Sequence, residues 1–300
     1  MKILAMSDLA WGTRKSGPFA HHTIDARFFC DMIDAIGPEV VVFAGDVIYD
    51  RCSTAGADGT REFTELLRHL ESEGKYALFI RGNNDNRFNS YDELVQTFED
   101  SDRIFEISAR SAVIEGVRFM GVPYGRERAM AESNEQSVDL LVAHAPYADR
   151  AWLFDIDAEI VVCGHYDYRI ADVRGTAFVS LDCSPLSHAV IDREGDVQTI
   201  EYCYNRSGRP CRIRGERSSD HFDLDAGDCD PQVARQITEG KGPVPYGVMI
   251  DALKRAKEKM RYLSREEQAL VLDRLVEIGV PRTHIEHYVG RSPPLHSPSH

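Results

Sequence analysis

Val40-Val41-Val42-Phe43-Ala44-Gly45-Asp46 is five apolar residues without a break, then a glycine and a carboxylate. A run with no polar alternation is what a strand covered on both faces requires. Gly45 permits a sharp turn out of that strand, and Asp46 then stands at its C-terminal end. Upstream, Lys2–Met6 is a second short apolar run, and it leads into Ser7-Asp8. Between the two, residues 22–36 carry Ile24, Phe28, Phe29, Met32, Ile33 and Ile36 at helical spacing, and Gly37-Pro38 ends the helix. Downstream, 61–73 repeats the helical pattern through Phe63, Leu66, Leu67 and Leu70. Residues 76–80 read as a third strand and 91–98 as a short helix. This β-α-β-α-β order predicts a mostly parallel sheet with helices on its faces.

The pattern changes from residue 110. Segments 110–115 and 118–122 flank Gly116 and read as a hairpin. Segments 138–143 and 160–163 are again fully apolar, and 169–173, 176–181, 189–192 and 197–204 read as short strands between turns. A βα half followed by a strand-rich half predicts an α/β protein with two packed sheets. After Tyr204 the composition shifts. Residues 205–215 are basic, while 218–230 hold Asp220, Asp223, Asp225, Asp228 and Asp230, so 206–243 is expected to be an irregular acidic linker. Residues 244–290 read as a small helical region, with Ser264 and Glu267 as a capping box. The Pro/Ser/His-rich stretch 291–300 reads as a disordered tail.

Composition narrows the function classes. The chain has 300 residues, 43% of them hydrophobic and 28% charged, which is ample for a core and excludes wholesale disorder. No apolar run approaches the roughly 18–20 residues that span a bilayer, and the start MKILAMSD lacks the pattern of a signal peptide. A cytoplasmic protein with no membrane partner is the expectation. The seven cysteines include no CxxC pair, so neither a disulfide framework nor a zinc knuckle is expected. A net charge of −14 argues against a broad nucleic-acid surface and leaves a local basic patch open.

Five of the apolar runs end in a residue able to bind a metal ion. They lead into Asp8, Gly45-Asp46, Gly82-Asn83-Asn84-Asp85, His144 and Gly164-His165-Tyr166-Asp167. Taken singly, each is ordinarily a turn or a packed histidine. Five in order, each after a core strand, are a pattern. Parallel strands bring their C-terminal ends to one edge, where ligands bind in open α/β sheets. Mixed oxygen and imidazole donors suit Mn, Fe, Zn or Mg-type ions.

These blocks resemble the calcineurin-like metallophosphoesterase family over about residues 1–205. The family pattern is Asp-x-His, Gly-Asp, Gly-Asn-His-Asp/Glu, a later His, and Gly-His-x-His. The resemblance implies a four-layer α/β/β/α sandwich, here with a C-terminal helical appendage, that hydrolyses phosphomonoesters or phosphodiesters with divalent metal ions. It implies that Asp46 bridges two ions and is catalytic, and that Asn83, His144 and His165 hold one of them. The other ion falls to Asp8, but Ala10 stands where the pattern has its first histidine and Asp167 where it has its last. Asn84 replaces the histidine of the third block. It can donate a hydrogen bond to a phosphoryl oxygen in catalysis but cannot act as an acid.

The first site thereby becomes an all-oxygen set of Asp8, Asp46 and Asp167, suited to Mg or Mn. Alternatives are a weak or empty site, or rescue by His21 or His22 from the loop after the first strand. One or two ions per chain, Mn ahead of Mg, Fe or Zn, are expected. Arg14, Arg87 and Arg126, each near a site loop, are candidates to bind substrate oxygens. Two other readings stay open: a non-catalytic scaffold that binds a partner, favoured by the two lost imidazoles, and a nuclease guided by the helical tail.

Overall fold

Strand β1 (Lys2–Met6) buries both of its faces, with Ile3 and Ala5 in one apolar cluster and Leu4 and Met6 in another. That alternation sets the layering of the molecule. The computed structural model describes residues 1–9, 26–48, 53–85, 90–133, 136–165, 169–181, 187–194, 197–204, 211–218, 221–227, 229–239 and Gln268. After β1 come α1 (Ala26–Ile36), β2 (Val40–Phe43), α2 (Ser53–Ser72), β3 (Tyr76–Phe79), α3 (Ser90–Thr97) and β4 (Ile104–Glu106). The next set is β5 (Ser111–Ile114), β6 (Val117–Val122), α4 (Glu127–Ser133), β7 (Val138–His144) and a 3-10 helix (Tyr147–Asp155). Then follow β8 (Ala158–Gly164), β9 (Arg169–Val173), β10 (Thr176–Ser180), β11 (Ser187–Glu194), β12 (Val197–Tyr204), β13 (Cys211–Ser218), β14 (His221–Asp225) and α5 (Pro231–Glu239).

Two sheets result. One has eight strands in the order β14-β13-β12-β11-β1-β2-β3-β4, the other six in the order β5-β6-β7-β8-β10-β9. In the first, β1, β2, β3 and β4 run parallel, with Ile3 beside Val40 and Val40 beside Tyr76. In the second, β6, β7, β8 and β10 run parallel. The inner faces meet through Ile3, Val42, Leu140, Val142, Ile160 and Val162. Helices α1, α2 and α3 cover the outer face of the first sheet, where Phe43, Phe63, Phe79 and Tyr91 form an edge-to-face chain with centroids 4.9–5.9 Å apart. Leu153 of the 3-10 helix and Met130 of α4 pack on the outer face of the second, against Leu141 and Phe178. Each fully buried aliphatic or aromatic side chain contributes ~1.5–3 kcal/mol, so the three clusters hold the sandwich together.

The structure corrects the reading of 206–243 as an irregular linker. Residues 211–218 and 221–225 are strands that extend the first sheet, and Ile237 of α5 enters the inter-sheet core. Cys211, Ile213 and Gly215 point inward while Arg212 and Arg214 point out, and Phe222 is buried beside an exposed Asp223. The alternation is of period two, and charge on the outer face obscured it. Cys211 and Cys229 form a disulfide, contrary to the expectation drawn from cysteine spacing. The chain divides into a unit of Met1–Gly240 and one of Lys241–His300, and apart from Gln268 the expected helices and tail of the latter lie outside the described residues. No helix among the described residues is long and apolar enough to cross a membrane.

Candidate metal centre

The C-terminal ends of β1, β2, β3, β7 and β8 meet where the two sheets share an edge. Asp8, Asp46 and His165 each follow a strand with positive φ, at 52°, 51° and 87°. Non-glycine residues rarely adopt that conformation, and it turns each side chain back over the edge. Glycine is required beside them for space. A Cβ on Gly45 would lie 2.6 Å from the His144 ring, and one on Gly164 would collide with Ser7 and Ala44.

Four donors converge there. Asp46, His144 and His165 present ligand atoms that all lie within 4.8 Å of one another. His144 Nε2 is 3.5 Å from Asp46 Oδ2, 3.2 Å from Asn83 Oδ1 and 3.2 Å from His165 Nδ1. His144 Nδ1 donates to Ala44 O at 2.7 Å, which turns Nε2 into the cluster. There Nε2 faces the Asp46 carboxylate and the Asn83 amide oxygen, two acceptors that are satisfied by a proton on that nitrogen or by a cation in the proton's place. The donors therefore fit a divalent ion.

Charge says the same. Asp8, Asp46 and Asp85 are all buried. Burial pushes the Asp8 carboxyl up to about 7 against the pull of His144, and the charge of Asp46 adds to the rise. Burial and then the charge of Asp46 push Asp85 to about 7 as well. Burial acts to raise Asp46 too, but His144 outweighs it and holds Asp46 below the usual carboxylate range. Burial acts to lower His144, and the charge and hydrogen bond of Asp46 reverse this and raise it to about 9. Three buried carboxyl groups thus surround two imidazoles, His144 and His165, and carboxylates outnumber the cationic partners, a deficit of positive charge that a metal ion would fill.

The supporting bonds hold the loops in register. Asn84 donates to Asp46 twice, from its backbone N to Oδ1 at 2.8 Å and from its amide Nδ2 to Oδ2 at 2.6 Å. Asp8 Oδ2 accepts the Ser7 hydroxyl at 2.6 Å and the His165 backbone N–H at 3.0 Å. Asp85 accepts N–H groups from Ile48 and Gly82, each at 2.8 Å, and so ties the β2 loop to the β3 loop. Arg150, buried in the 3-10 helix, donates to the carbonyls of Ala145 at 3.2 Å, His165 at 3.2 Å and Gly164 at 3.4 Å. It binds the segments that carry His144 and His165 to each other.

The structure brings together Asp46, Asn83, Asn84, His144 and His165, with Asp8 bonded to the His165 backbone. Arg126 is exposed in the β6–α4 turn and lines a neighbouring cavity instead of touching the cluster. Arg14, Arg87, Asp167, Ala10, His21 and His22 lie outside the described residues. Sequence reasoning gave Asp85 no role and missed Arg150 altogether. The acceptors of Arg150 are backbone carbonyls, which leave no trace in a sequence.

A model of the calcineurin-like phosphoesterase family matches residues 1–166, more than half of the chain. No curated protein matches. Among solved structures, an archaeal phosphodiesterase is 14% identical, covering 75% of this chain and 99% of its own at a TM-score of 0.39. Vacuolar protein sorting 29 from Cryptosporidium parvum is 16% identical, covering 73% and 98% at 0.43. The protein TT1561 of Thermus thermophilus is 13% identical, covering 64% and 93% at 0.46. On the family match and the strand-end residues it spans, the chain belongs to the calcineurin-like phosphoesterase family.

Proposed function

We propose that this protein hydrolyses phosphate esters, monoesters or diesters, with divalent metal ions held at the shared sheet edge. The observation that carries the reading is the convergence of Asp46, Asn83, His144 and His165 on one point. Asn83, His144, His165 and Asp46 hold one ion. Asp46 and Asp8, with Asp167, offer an oxygen-only set for a second, for which Mn or Mg is the best match. Metal ions at such a site neutralise phosphoryl charge and lower the pKa of bound water.

The remaining steps belong to the chain. Asp46 keeps its carboxylate ionised between the two ligand sets, because His144 stabilises the charged form. Asn84 steadies that carboxylate through one amide hydrogen and keeps the other for a phosphoryl oxygen. Ala44 fixes the His144 tautomer through Nδ1. Arg14 and Arg87 supply guanidinium groups for the remaining anionic oxygens, while Arg126 reaches the part of the substrate that enters the neighbouring cavity.

The test is metal analysis of the purified chain, then turnover on a panel of phosphomonoesters, phosphodiesters and nucleotides with added Mn. Metal-dependent hydrolysis that stops on chelation is the expected result. A chain that binds metal at these residues and hydrolyses nothing on the panel is a scaffold, and the reading is then wrong.

A further inference from the structure

A cavity of about 680 Å³ opens beside the metal centre on the same sheet edge, and Tyr124 is the wall they share. The Tyr124 ring centroid is 5.5 Å from that of His165 and 6.2 Å from that of His144, and Tyr124 also lines the cavity. Its backbone N–H bonds the carbonyl of Arg81, the residue that opens the Gly82–Asp85 loop. A phosphoryl group held at Asp46 and His165 is therefore one ring's width from this space.

We propose that the cavity is the subsite for the organic half of the substrate and that it takes a hydroxyl-bearing ring, the sugar of a sugar phosphate or of a nucleotide. The proposal rests on the hydrolase reading above. Its chemistry comes from the lining. Arg81 and Arg126 are matched by Asp92 and Glu106, so the charges cancel. Arg81 bonds Asp92 and lies 4.5 Å over the Tyr91 ring, which fixes the guanidinium in place. An added anion would meet the two carboxylates, and a hydrocarbon would bury polar side chains without partners. A neutral polar group suits the site. Carboxylates only accept, guanidinium groups only donate, and the Gln96 amide does both. A hydroxyl, which is donor and acceptor at once, finds a complement in each of them. Tyr124 adds a flat apolar face for the ring. The volume falls within the ~300–1,000 Å³ usual for small-molecule sites.

The experiment compares a hexose phosphate, a nucleoside 5′-monophosphate and methyl phosphate, all with Mn, in the native chain and in Gln96→Trp. Gln96 is exposed on α3, so the larger ring narrows the cavity without entering the core. The native chain should favour at least one of the two ring substrates over methyl phosphate by tenfold or more in kcat/KM. Gln96→Trp should collapse that ratio through KM, with kcat for the ring substrate retained. Whichever ring substrate shows the larger ratio identifies the source of the sugar. Equal kcat/KM for methyl phosphate and both ring substrates, or a ratio unmoved by Gln96→Trp, overturns the subsite. If no substrate turns over, the hydrolase reading fails and binding decides the subsite separately. Ligand line-broadening by the native chain and not by Gln96→Trp then upholds it, and no broadening by either overturns it.

Discussion

Strand β7 has Asp139 near its start and His144 at its end; β8 has Glu159 near its start, and His165 follows its end. At the N-terminal edge the acids are neutralised. Arg193 Nη2 donates to Asp139 at 2.9 Å and to Glu159 at 3.1 Å, Gln198 donates to Glu159 at 2.5 Å, and the Arg118 N–H bonds Asp139 at 2.7 Å. At the C-terminal edge Asp8, Asp46 and Asp85 are more deeply buried, and among the described residues no arginine or lysine bonds any of them. The same strands also carry backbone strain only at this edge, where His165 has φ 87°. One end is closed by charge pairing that the chain supplies itself. The other holds unmatched negative charge in a strained frame, the arrangement that a cation from outside would complete. Difference in charge balance, more than difference in polarity, separates a structural edge from a functional one.

The largest test of that contrast is Asp46→Asn. It should lower metal affinity and turnover by ~100-fold or more, since it removes a charge in contact with the ligand set. Mn at 100 times its dissociation constant should stabilise the native chain by ~2.7 kcal/mol, and the variant should show almost none of this in thermal unfolding. A variant that keeps full metal content and turnover would show that the C-terminal edge is not organised around Asp46.

Arg150→Met should have a smaller effect, because Arg150 acts on the ligands through their backbone. Loss of its bonds to Ala145, Gly164 and His165 should weaken metal binding ~10-fold or more, with partial recovery in Arg150→Lys. Titration with Mn against activity separates this from simple destabilisation, which would lower the unfolding temperature and leave the affinity of the folded chain intact.

Arg193→Met is the counterpart at the opposite edge and the smallest effect. Glu159 is partly open to solvent, so screening limits the loss to ~1–2 kcal/mol in denaturant unfolding. Metal affinity should be unchanged. A drop in metal affinity here would mean that the two edges are coupled along β7 and β8.

The fold and the centre were legible to different depths. The ligand loops could be read because each joins an unbroken apolar run to a glycine or a metal-binding side chain, as at Phe43-Ala44-Gly45-Asp46. That grammar follows from the geometry, since Gly45 and Gly164 leave space against His144 and Ser7 that no Cβ could share. Strands β13 and β14 were not legible, because Arg212, Arg214, Asp223 and Asp225 on the solvent face dominated the composition. The Cys211–Cys229 bridge escaped for a related reason, as nothing in the cysteine spacing marks a pair brought together by a hairpin. Tyr124 lay in a loop whose sequence could not say which way its ring faces, and only packing against His144 and His165 reveals that.

The pairing of β1 has a consequence in the time of synthesis. The first strand lies in the middle of its sheet, between β2 and β11, and the amino group of Met1 bonds the carbonyl of Arg193, 192 positions away. At ~5–20 residues per second, β11 leaves the ribosome about 10–40 s after β1. Through that interval β1 can pair with β2 on one side while its other edge stays open. His165 is likewise the last of the described ligands to emerge, so Asp8 and Asp46 wait without a complete partner set. Metal capture at this edge would therefore be a late event in the life of the chain, and an unpaired central strand is the hazard the chain carries until β11 arrives.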